Sequence, residues 1–385
     1  MRILFDYQAF TMQKFGGVSK CFCELIANMP DSCKCEIGVK ESDNFHLLSS
    51  PLIKEKIDKP KLTSDSFLGG LQFRGKGRIY SFMNKFVPNF PSVEKTNQAY
   101  SIELLKNGDY DIFHPTFFNS YYLKYLGKKP FVLTIHDMMP ELFPQYFKRN
   151  DFQILAKKKL VDKAAAIVAV SNQTKNDIID ILGVSPDKIH VVYHGAPQIN
   201  DCYNSSLFDF PYYLYMGTRS GYKNFIPMLV DFAEYWKKGH NEKLICTGPI
   251  FTADELAIMH QLDIADKVIH YRTSDQDISS LYANAIAFVY PSLYEGFGMP
   301  ILEAFTYGCP VLLNNKSCFP EIAGNAALYF NSDGKESDLC NTLETFSSYS
   351  SKEREALIDK GYERNRLFSW KKSAAKLADL YQSIL

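Results

Sequence analysis

The sequence predicts an α/β protein of two Rossmann-like domains, each built on a parallel β-sheet, with the sheets facing each other across a cleft. Three observations predict it. The chain has 385 residues, more than one ordinary core accommodates. Short apolar runs alternate with amphipathic stretches almost throughout, as in parallel α/β sheets. A polar, turn-rich stretch at 200–211 interrupts that alternation, as a linker between domains does.

The apolar runs give the predicted strands in chain order. The early strands are 2–5, 112–114, 131–135 and 166–170, and the later strands are 212–216, 243–247, 267–270, 287–290 and 310–313. We place the first domain at 1–197 and the second at 205–368. The helical period after Trp370 predicts a last helix over about 370–385, which we expect to pack back on the first domain. Ligands bind at the carboxyl ends of parallel strands, so the cleft is the predicted site.

Composition narrows the range of partners. Lys+Arg and Asp+Glu both number 43, so no overall field attracts nucleic acid. We see neither a signal peptide nor an apolar run near the ~20 residues of a membrane-spanning helix. The pairs Cys21/Cys23 and Cys33/Cys35 lack the two-residue gap of a zinc knuckle and have no His near them in sequence. We therefore expect a cytoplasmic protein with reduced thiols and no nucleic-acid partner.

The most informative segment is a predicted strand–turn–helix unit at 287–308. Gly296 and Gly298 let the backbone approach a ligand, and the helix start that follows presents free N–H groups that suit a phosphate. Glu295 and Glu303 lie close to that helix start, and carboxylates bind vicinal hydroxyls such as those of a ribose or a sugar ring. This combination indicates a nucleotide sugar. The structural alternative is that Glu303 only complements the helix dipole, for ~0.3–1 kcal/mol.

The two glutamates with seven residues between them resemble the signature of glycosyltransferase family 4. Segments 15–19, 170–172 and 368–370 are also similar to conserved parts of that family, so the likeness spans nearly the whole chain except about 40–100. It implies the GT-B fold, a nucleoside-diphosphate-sugar donor, a retained linkage and no cofactor. The donor-binding residues that it implies are Gly16, Gly17, Gly296, Phe297, Gly298, Met299 and Glu303. The catalytic residues that it implies are His136, Glu295, Arg219 and Lys223.

The loop 215–224 resembles the family loop whose cations neutralise the leaving diphosphate. Lys223 is the stronger candidate, because Arg219 must reach in from the preceding turn. Each cation ~4 Å from the phosphate would contribute a few kcal/mol. The alternative is a solvated charged loop. His136 directly follows the predicted strand 131–135, and the resemblance assigns it a contact with the transferred sugar. The alternative is a structural role, which is more common for a lone His. His114 has a similar position and a weaker claim.

Two Asp-x-Asp matches raise the question of a metal. Asp109 and Asp111 precede a strand at its amino end, far from the expected ligand, whereas Asp275 and Asp277 precede an amphipathic helix, where Asp caps are common. Because both positions have structural explanations, we predict no metal.

The reaction implied is transfer of a sugar to an acceptor hydroxyl, in cell-surface polysaccharide or glycolipid assembly. Segments 134–144 and 217–219 are similar to mannosyltransferase relatives, which makes GDP-mannose the first guess for the donor. A nucleotide-sugar epimerase of the same fold would alter the donor alone. A non-catalytic nucleotide-sugar-binding protein would show no turnover with any acceptor. A sugar phosphorylase is disfavoured, since no segment resembles a cofactor-binding lysine site.

Residues 66–93 combine large apolar side chains with Arg74, Lys76, Arg78 and Lys85 and contain no Asp or Glu. Such a segment can contact an anionic membrane, which would suit a lipid-linked saccharide acceptor and a peripheral location at the inner face of the membrane. The alternative is a helix whose aromatic face packs into the core.

Overall fold

The computed structural model describes residues 1–50, 57–60, 62–63, 66–71, 73, 75–87, 90, 92–148, 151–198, 206–274 and 277–385. Within these ranges the helices and strands alternate along most of the chain, and every strand pairing is parallel. The predicted α/β class with parallel sheets is confirmed.

The first domain contains two three-stranded sheets of order β2-β1-β3 and β4-β5-β6, and an isolated parallel bridge between Phe113 and Phe131 joins them. The strands are β1 (Arg2–Phe5), β2 (Lys34–Ile37), β3 (Ile112–His114), β4 (Val132–Ile135), β5 (Ala166–Ala169) and β6 (Ile189–Val191). The helices are α1 (Gln8–Met12), α2 (Gly17–Ala27), α3 (Phe45–Ser49), α4 (Lys76–Phe86), α5 (Val93–Asn107), α6 (Met139–Leu142), α7 (Phe152–Val161) and α8 (Asn172–Leu182).

The second domain contains one six-stranded sheet of order β12-β11-β10-β7-β8-β9. The strands are β7 (Tyr212–Tyr215), β8 (Lys243–Cys246), β9 (Val268–His270), β10 (Ala287–Tyr290), β11 (Val311–Asn314) and β12 (Leu328–Phe330). The helices are α9 (Phe225–Lys237), α10 (Ala253–Gln261), α11 (Asp277–Ala283), α12 (Met299–Thr306), α13 (Phe319–Ala323), α14 (Leu339–Ser347) and α15 (Ser351–Asn365). Every residue of β7, β10 and β11 is buried, as the unbroken apolar runs of parallel strands require.

The last helix, α16 (Trp370–Ser383), returns to the first domain. Its buried side chains Trp370, Leu377 and Tyr381 belong to the same apolar core as Ile3 and Phe5 of β1. The hydroxyl of Tyr381 also lies 2.5 Å from His114 Nδ1. The polypeptide therefore passes between the domains twice, once after β6 and once before α16.

The two interdomain passages lie side by side. Ala196 N donates to Phe368 O at 3.2 Å, and Ser373 Oγ donates to Tyr193 O at 2.6 Å. A Cβ at Gly195 would lie 2.2 Å from Trp370 N, so only glycine allows this approach. No helix in the described part of the chain is long and apolar enough to cross a membrane.

Candidate functional site

The carboxyl end of β4 meets the turn before α12 at the floor of the cleft. A Cβ at Gly296 would lie 1.7 Å from the carbonyl oxygen of His136, so this position must be glycine. Ser171 Oγ and Thr174 Oγ1 donate to Gly296 O at 2.7 and 3.2 Å. The close approach predicted for Gly296 is therefore made to the first domain of the protein itself, and it fixes where the two domains meet.

Two helices, one from each domain, begin next to each other at this junction. A Cβ at Gly17, the first residue of α2, would lie 3.0 Å from Met299 Cε, on the first residue of α12. Gly16 and Gly298 precede these helices, and neither provides a side-chain cap. Gly298 has φ of 87°, which favours glycine. The free N–H groups and the positive dipole ends of both helices therefore lie close together.

Glu295 and Lys223 form an ion pair in the second domain. Lys223 Nζ lies 2.6 Å from Glu295 Oε1, and the two side chains are 17% and 11% exposed. Burial opposes the charge on Lys223, but Glu295, together with Tyr222 and Asp137, raises its pKa above the ordinary value. Lys223 is thus a persistent cation beside the carboxylate.

Glu303, in α12, pairs with a residue of the first domain. Lys20 Nζ on α2 lies 2.8 Å from Glu303 Oε1, with side chains 27% and 20% exposed. The Tyr282 hydroxyl lies 3.4 Å from Glu303 Oε2. No sequence motif points to Lys20 as this partner, because 283 residues separate the pair. In this structure Glu303 joins the domains on the side where the donor ribose was expected.

Arg219 is not free to neutralise a diphosphate. Its Nε donates to Glu255 at 2.8 Å, Nη1 donates to Thr247 O at 3.1 Å, and Nη2 donates to Pro249 O. The guanidinium also lies 4.7 Å from the centre of the Phe251 ring. All its nitrogens are therefore engaged within the second domain, and the structure does not support the predicted role of Arg219 beside Lys223.

His136 lies directly after β4, as predicted from the strand end. Burial lowers its pKa to about 4, opposed by Asp137, so the ring is neutral at physiological pH. Its Nε2 has no partner among the described residues. His114 differs: Tyr381 and Thr134 lie within 2.5 and 2.8 Å of its two nitrogens. His114 is thus a core residue, and of these two histidines His136 keeps the ring nitrogen that can meet a ligand.

The structure brings two further residues to His136 that sequence reasoning missed. These are Cys21 of α2 and His194, which follows β6. One potential ligand atom from each of Cys21, His136 and His194 lies within 4.8 Å of the other two. The ring of His194 lies 4.6 Å from the ring of Phe297, tilted by 44°, and Phe297 is only 3% exposed. Phe297 therefore packs at the domain junction. These three residues lie far apart in the sequence, so no sequence motif pointed to them.

Neither Asp-x-Asp match presents a pair of free carboxylates. Asp109 forms an ion pair with Arg2, and Asp111 accepts from Arg2 N at 2.7 Å. Asp277 begins α11 and accepts from Ser274 N at 2.8 Å and from Ser274 Oγ at 2.7 Å. Asp275 lies outside the described residues.

A cavity of about 560 Å³ lies in the first domain beyond the carboxyl end of β1. Its lining combines aromatic rings with amide side chains and includes Tyr7, Gln8, Gln13, Tyr80, Asn119 and Phe152. Such a lining suits hydroxyl-rich ligands with apolar faces.

The large apolar residues of segment 66–93 divide between core and surface. Phe67 and Phe90 are buried, whereas Ile79, Phe82 and Phe86 are 45%, 60% and 60% exposed. The alternative that the aromatic face of α4 packs into the core is therefore wrong for Phe82 and Phe86, whereas Tyr80 contacts the buried Phe67 and Phe90. Lys76 is buried, and Arg78 and Lys85 are exposed; Arg74 lies outside the described residues.

Two models of known protein families match the chain. The model for "Glycosyl transferases group 1" matches residues 205–364. The model for "Glycosyltransferase Family 4" matches residues 66–197. Together the two matches cover most of both domains. The chain belongs to the group 1 glycosyltransferases of family 4.

The relatives of this family 4 chain include mannosyltransferases. The "O-antigen chain mannosyltransferase B" of Escherichia coli is 26% identical over 364 residues, covering 89% of this chain and 91% of the relative. The "O-antigen chain mannosyltransferase RfbU" of Salmonella typhimurium is 28% identical over 206 residues, covering 53% of this chain and 58% of the relative's own length.

A solved structure, that of Anabaena Alr3699/HepE in complex with UDP-glucose, has a TM-score of 0.69 and 16% identity over the whole of both chains. A glycosyltransferase from Rickettsia africae has a TM-score of 0.67 and 19% identity, covering 100% of this chain and 98% of that chain. These likenesses confirm the predicted GT-B fold.

Proposed function

We propose that this family 4 glycosyltransferase transfers a sugar, with retention of anomeric configuration, from a nucleoside-diphosphate sugar to an acceptor hydroxyl. The observation that carries the proposal is the meeting of α2 and α12 at Gly17 and Met299. Each helix N-terminus carries roughly +0.5 elementary charge and free N–H groups. An anion between them interacts with both domains, as the diphosphate of a donor would.

The side chains around this junction fit the rest of the donor. Lys223 supplies a full positive charge, and its partner Glu295 can accept hydrogen bonds from sugar hydroxyls. Glu303 can do the same for a ribose once it is released from Lys20. His136, at the end of β4, offers a neutral ring nitrogen to the transferred sugar.

The chemistry follows from where charge develops. The bond between C1 and the phosphate oxygen breaks, and its electron pair stays on that oxygen. The two helix N-termini and Lys223 stabilise the resulting negative charge. The acceptor oxygen attacks C1 on the face that the diphosphate leaves, and the leaving phosphate oxygen takes the acceptor proton. This route requires neither an enzymic nucleophile nor a metal.

GDP-mannose is the proposed donor, supported by the mannosyltransferases among the relatives. A thermal-shift screen of UDP-, GDP- and ADP-sugars identifies the donor, since only a ligand of the folded state raises the melting temperature. Proton NMR of the product then gives the anomeric configuration. Change of the sugar in the absence of acceptor would indicate an epimerase, and binding without turnover would indicate a sensor; either result overturns the proposal.

A matched pair of lysine variants tests the role of the countercharge. We expect Lys223→Gln to lower kcat by about 10²–10³, the usual effect of removing one group that stabilises a transition state. Lys238→Gln, which breaks a half-exposed pair with Glu344 in the same domain, should leave kcat unchanged. Equal effects of the two variants would remove Lys223 from the mechanism.

We further propose that the first domain contacts an anionic membrane through α4, at the inner face, and takes a lipid-linked or other saccharide as acceptor. The exposed Ile79, Phe82 and Phe86 form a stripe along this helix, with the exposed cations Arg78 and Lys85 beside it. Tyr80, on another face of α4, lines the 560 Å³ cavity. An acceptor held by such a membrane would reach the cavity from its rim.

Vesicle sedimentation tests this contact. Phe82→Ser with Phe86→Ser should abolish binding, and Arg78→Gln with Lys85→Gln should abolish the preference for anionic over neutral vesicles. The matched control is Val230→Ser with Ile250→Ser, which alters two exposed apolar residues of the second domain and should bind as the parent does. A parent that does not sediment, or a control that loses as much binding as the α4 variants, contradicts the proposal.

A further inference from the structure

Three potential metal ligands meet inside the first domain. Cys21 lies in the second turn of α2, His136 directly after β4, and His194 after β6. One ligand atom from each lies within 4.8 Å of the other two, and no other group of three His, Cys, Asp or Glu residues in the described ranges meets this condition. The parallel sheet explains the meeting, because β4 and β6 both end at the same edge.

The nitrogens of this cluster are buried without partners. His136 Nε2 and both ring nitrogens of His194 have no hydrogen-bond partner among the described residues. His194 is only 6% exposed and Cys21 only 1%. A buried polar group left unsatisfied costs about 1–3 kcal/mol, so the cluster favours an occupant that takes up several of these nitrogens at once.

The donor set selects the chemistry of the occupant. One thiolate and two imidazoles suit Zn²⁺ and similar transition-metal ions, and they do not suit Mg²⁺ or Ca²⁺, which prefer oxygen. Bond lengths of about 2.0–2.3 Å place tetrahedral ligands about 3.5 Å apart. The cluster therefore needs to contract by about 1 Å, which side-chain rotation can provide.

The charges nearby permit a cation. Lys20 is one residue before Cys21, but its ammonium is paired with Glu303 at 2.8 Å. A Zn²⁺ ion with one thiolate would have a net charge of +1, and the rings of Phe22 and Phe297 lie 5.8 Å from the His136 ring and 4.6 Å from the His194 ring.

We propose that Cys21, His136 and His194 bind a single Zn²⁺-like ion through one thiolate and two imidazoles, with a fourth position open. Coordination deprotonates the Cys21 thiol and releases its proton to solvent. We also propose that the bound ion inhibits sugar transfer, because it holds the His136 ring that would otherwise contact the donor. This second step rests on the proposed function, whereas the binding step does not.

Cobalt binding tests the site without any donor or acceptor. The full-length protein is freed of metal with a chelator, desalted and titrated with CoCl₂. The parent should bind one equivalent and show the charge-transfer absorption of a thiolate–cobalt bond, which Zn²⁺ should abolish by displacement. Cys21→Ser should lose this absorption, and His194→Gln should weaken binding at least about tenfold, equal to 1.4 kcal/mol.

The matched control is Cys23→Ser, which removes a buried thiol two residues away on the same helix. It should bind cobalt as the parent does, and melting curves of the metal-free variants establish that each is folded. If Cys21→Ser does not fold, His194→Gln carries the test alone. A parent that binds no cobalt, as when only an ordered water occupies the cluster, overturns the proposal, as does absorption that persists in Cys21→Ser.

Inhibition has its own readout. Stoichiometric Zn²⁺ should lower turnover of the parent and not of Cys21→Ser. If cobalt binds as expected but Zn²⁺ leaves the parent's turnover unchanged, the inhibitory step is refuted. An enzyme with no turnover under any condition refutes the proposed function, and the cobalt spectrum still decides the metal site.

Discussion

Lys20 Nζ on α2 lies 2.8 Å from Glu303 Oε1 on α12, and this ion pair joins the first domain to the second. Lys20 thus pairs with the carboxylate that, by resemblance to the family, would bind the ribose of the donor. A donor that binds Glu303 as proposed would compete with Lys20 for this carboxylate, which would couple nucleotide binding to the contact between the domains.

We expect Glu303→Gln to weaken donor binding by about ten- to a hundredfold, because a charge-assisted hydrogen bond of ~1.5–3 kcal/mol is lost. Calorimetric titration with the donor nucleotide measures this. Lys20→Gln is the matched control, since it breaks the same ion pair and keeps the carboxylate. It should weaken donor binding less than Glu303→Gln does. Equal affinities in the two variants would mean that Glu303 acts only through Lys20.

We expect Arg219→Gln to destabilise the protein more than it impairs chemistry. Arg219 and Glu255 are 3% and 12% exposed, and removal of one member of such a buried pair costs about 3–5 kcal/mol. Urea unfolding should show the loss. Lys238→Gln should leave the free energy of unfolding nearly unchanged, because its pair with Glu344 is half exposed and screened by solvent. Unchanged stability together with lost turnover would instead restore the role predicted for Arg219 at the diphosphate.

The buried histidines should make the protein sensitive to acid. Burial lowers the pKa of His114 to about 3 and that of His136 to about 4, from 6.5. The folded state keeps both rings neutral, while the unfolded chain binds protons below pH 6.5. Above pH 6.5 these rings therefore do not change the free energy of unfolding. Below that pH each ring lowers the free energy of unfolding by about 1.4 kcal/mol per pH unit.

The acid effect can be isolated by substitution. The buried carboxyl of Asp6 has a raised pKa, so it favours the folded state as the pH falls and opposes the effect of the histidines. The decisive quantity is therefore the slope of the free energy of unfolding against pH, compared between a single histidine variant and the parent. Between about pH 7.5 and 5, urea unfolding should show a smaller loss of unfolding free energy for His114→Gln than for the parent. Parallel slopes for the two proteins would contradict the prediction.

We expect activity to survive chelation. Helix N-termini and Lys223 already offer countercharge, and Asp109 and Asp277 are engaged with Arg2 and Ser274. Turnover in excess EDTA should stay near the untreated rate, and release of an inhibitory ion would raise it. A collapse of turnover that Mn²⁺ or Mg²⁺ restores would show that a metal takes part in catalysis.

The buried strands could be predicted closely because burial on both faces leaves an unbroken apolar run. Strand β1 was predicted at 2–5, as observed. The edge strands β2, β6 and β12 are absent from the predicted strands. The exposed Lys34 and Glu36 interrupt the apolar pattern of β2, and β6 and β12 have only three residues each. The turn before α12 was predicted from Gly298 and Pro300, whose backbone preferences are local.

The contacts between distant segments could not be predicted. Nothing local distinguishes Lys20 as the partner of Glu303, or Glu255 as the partner of Arg219. Cys21 was dismissed as a ligand because no His lies near it in sequence, whereas the fold brings His136 and His194 to it. Sequence identifies the residue types that can do chemistry, and long-range packing decides which of them meet.

The two passages between the domains have a mechanical consequence. Because Ala196 is hydrogen-bonded to Phe368, and Gly195 packs against Trp370, both covalent connections lie along one line. Two connections held together in this way act as one hinge: they allow the domains to rotate about that line and resist sliding of one past the other. The gap between α2 and α12 can thus widen to admit a donor and close again with the same residues opposite each other.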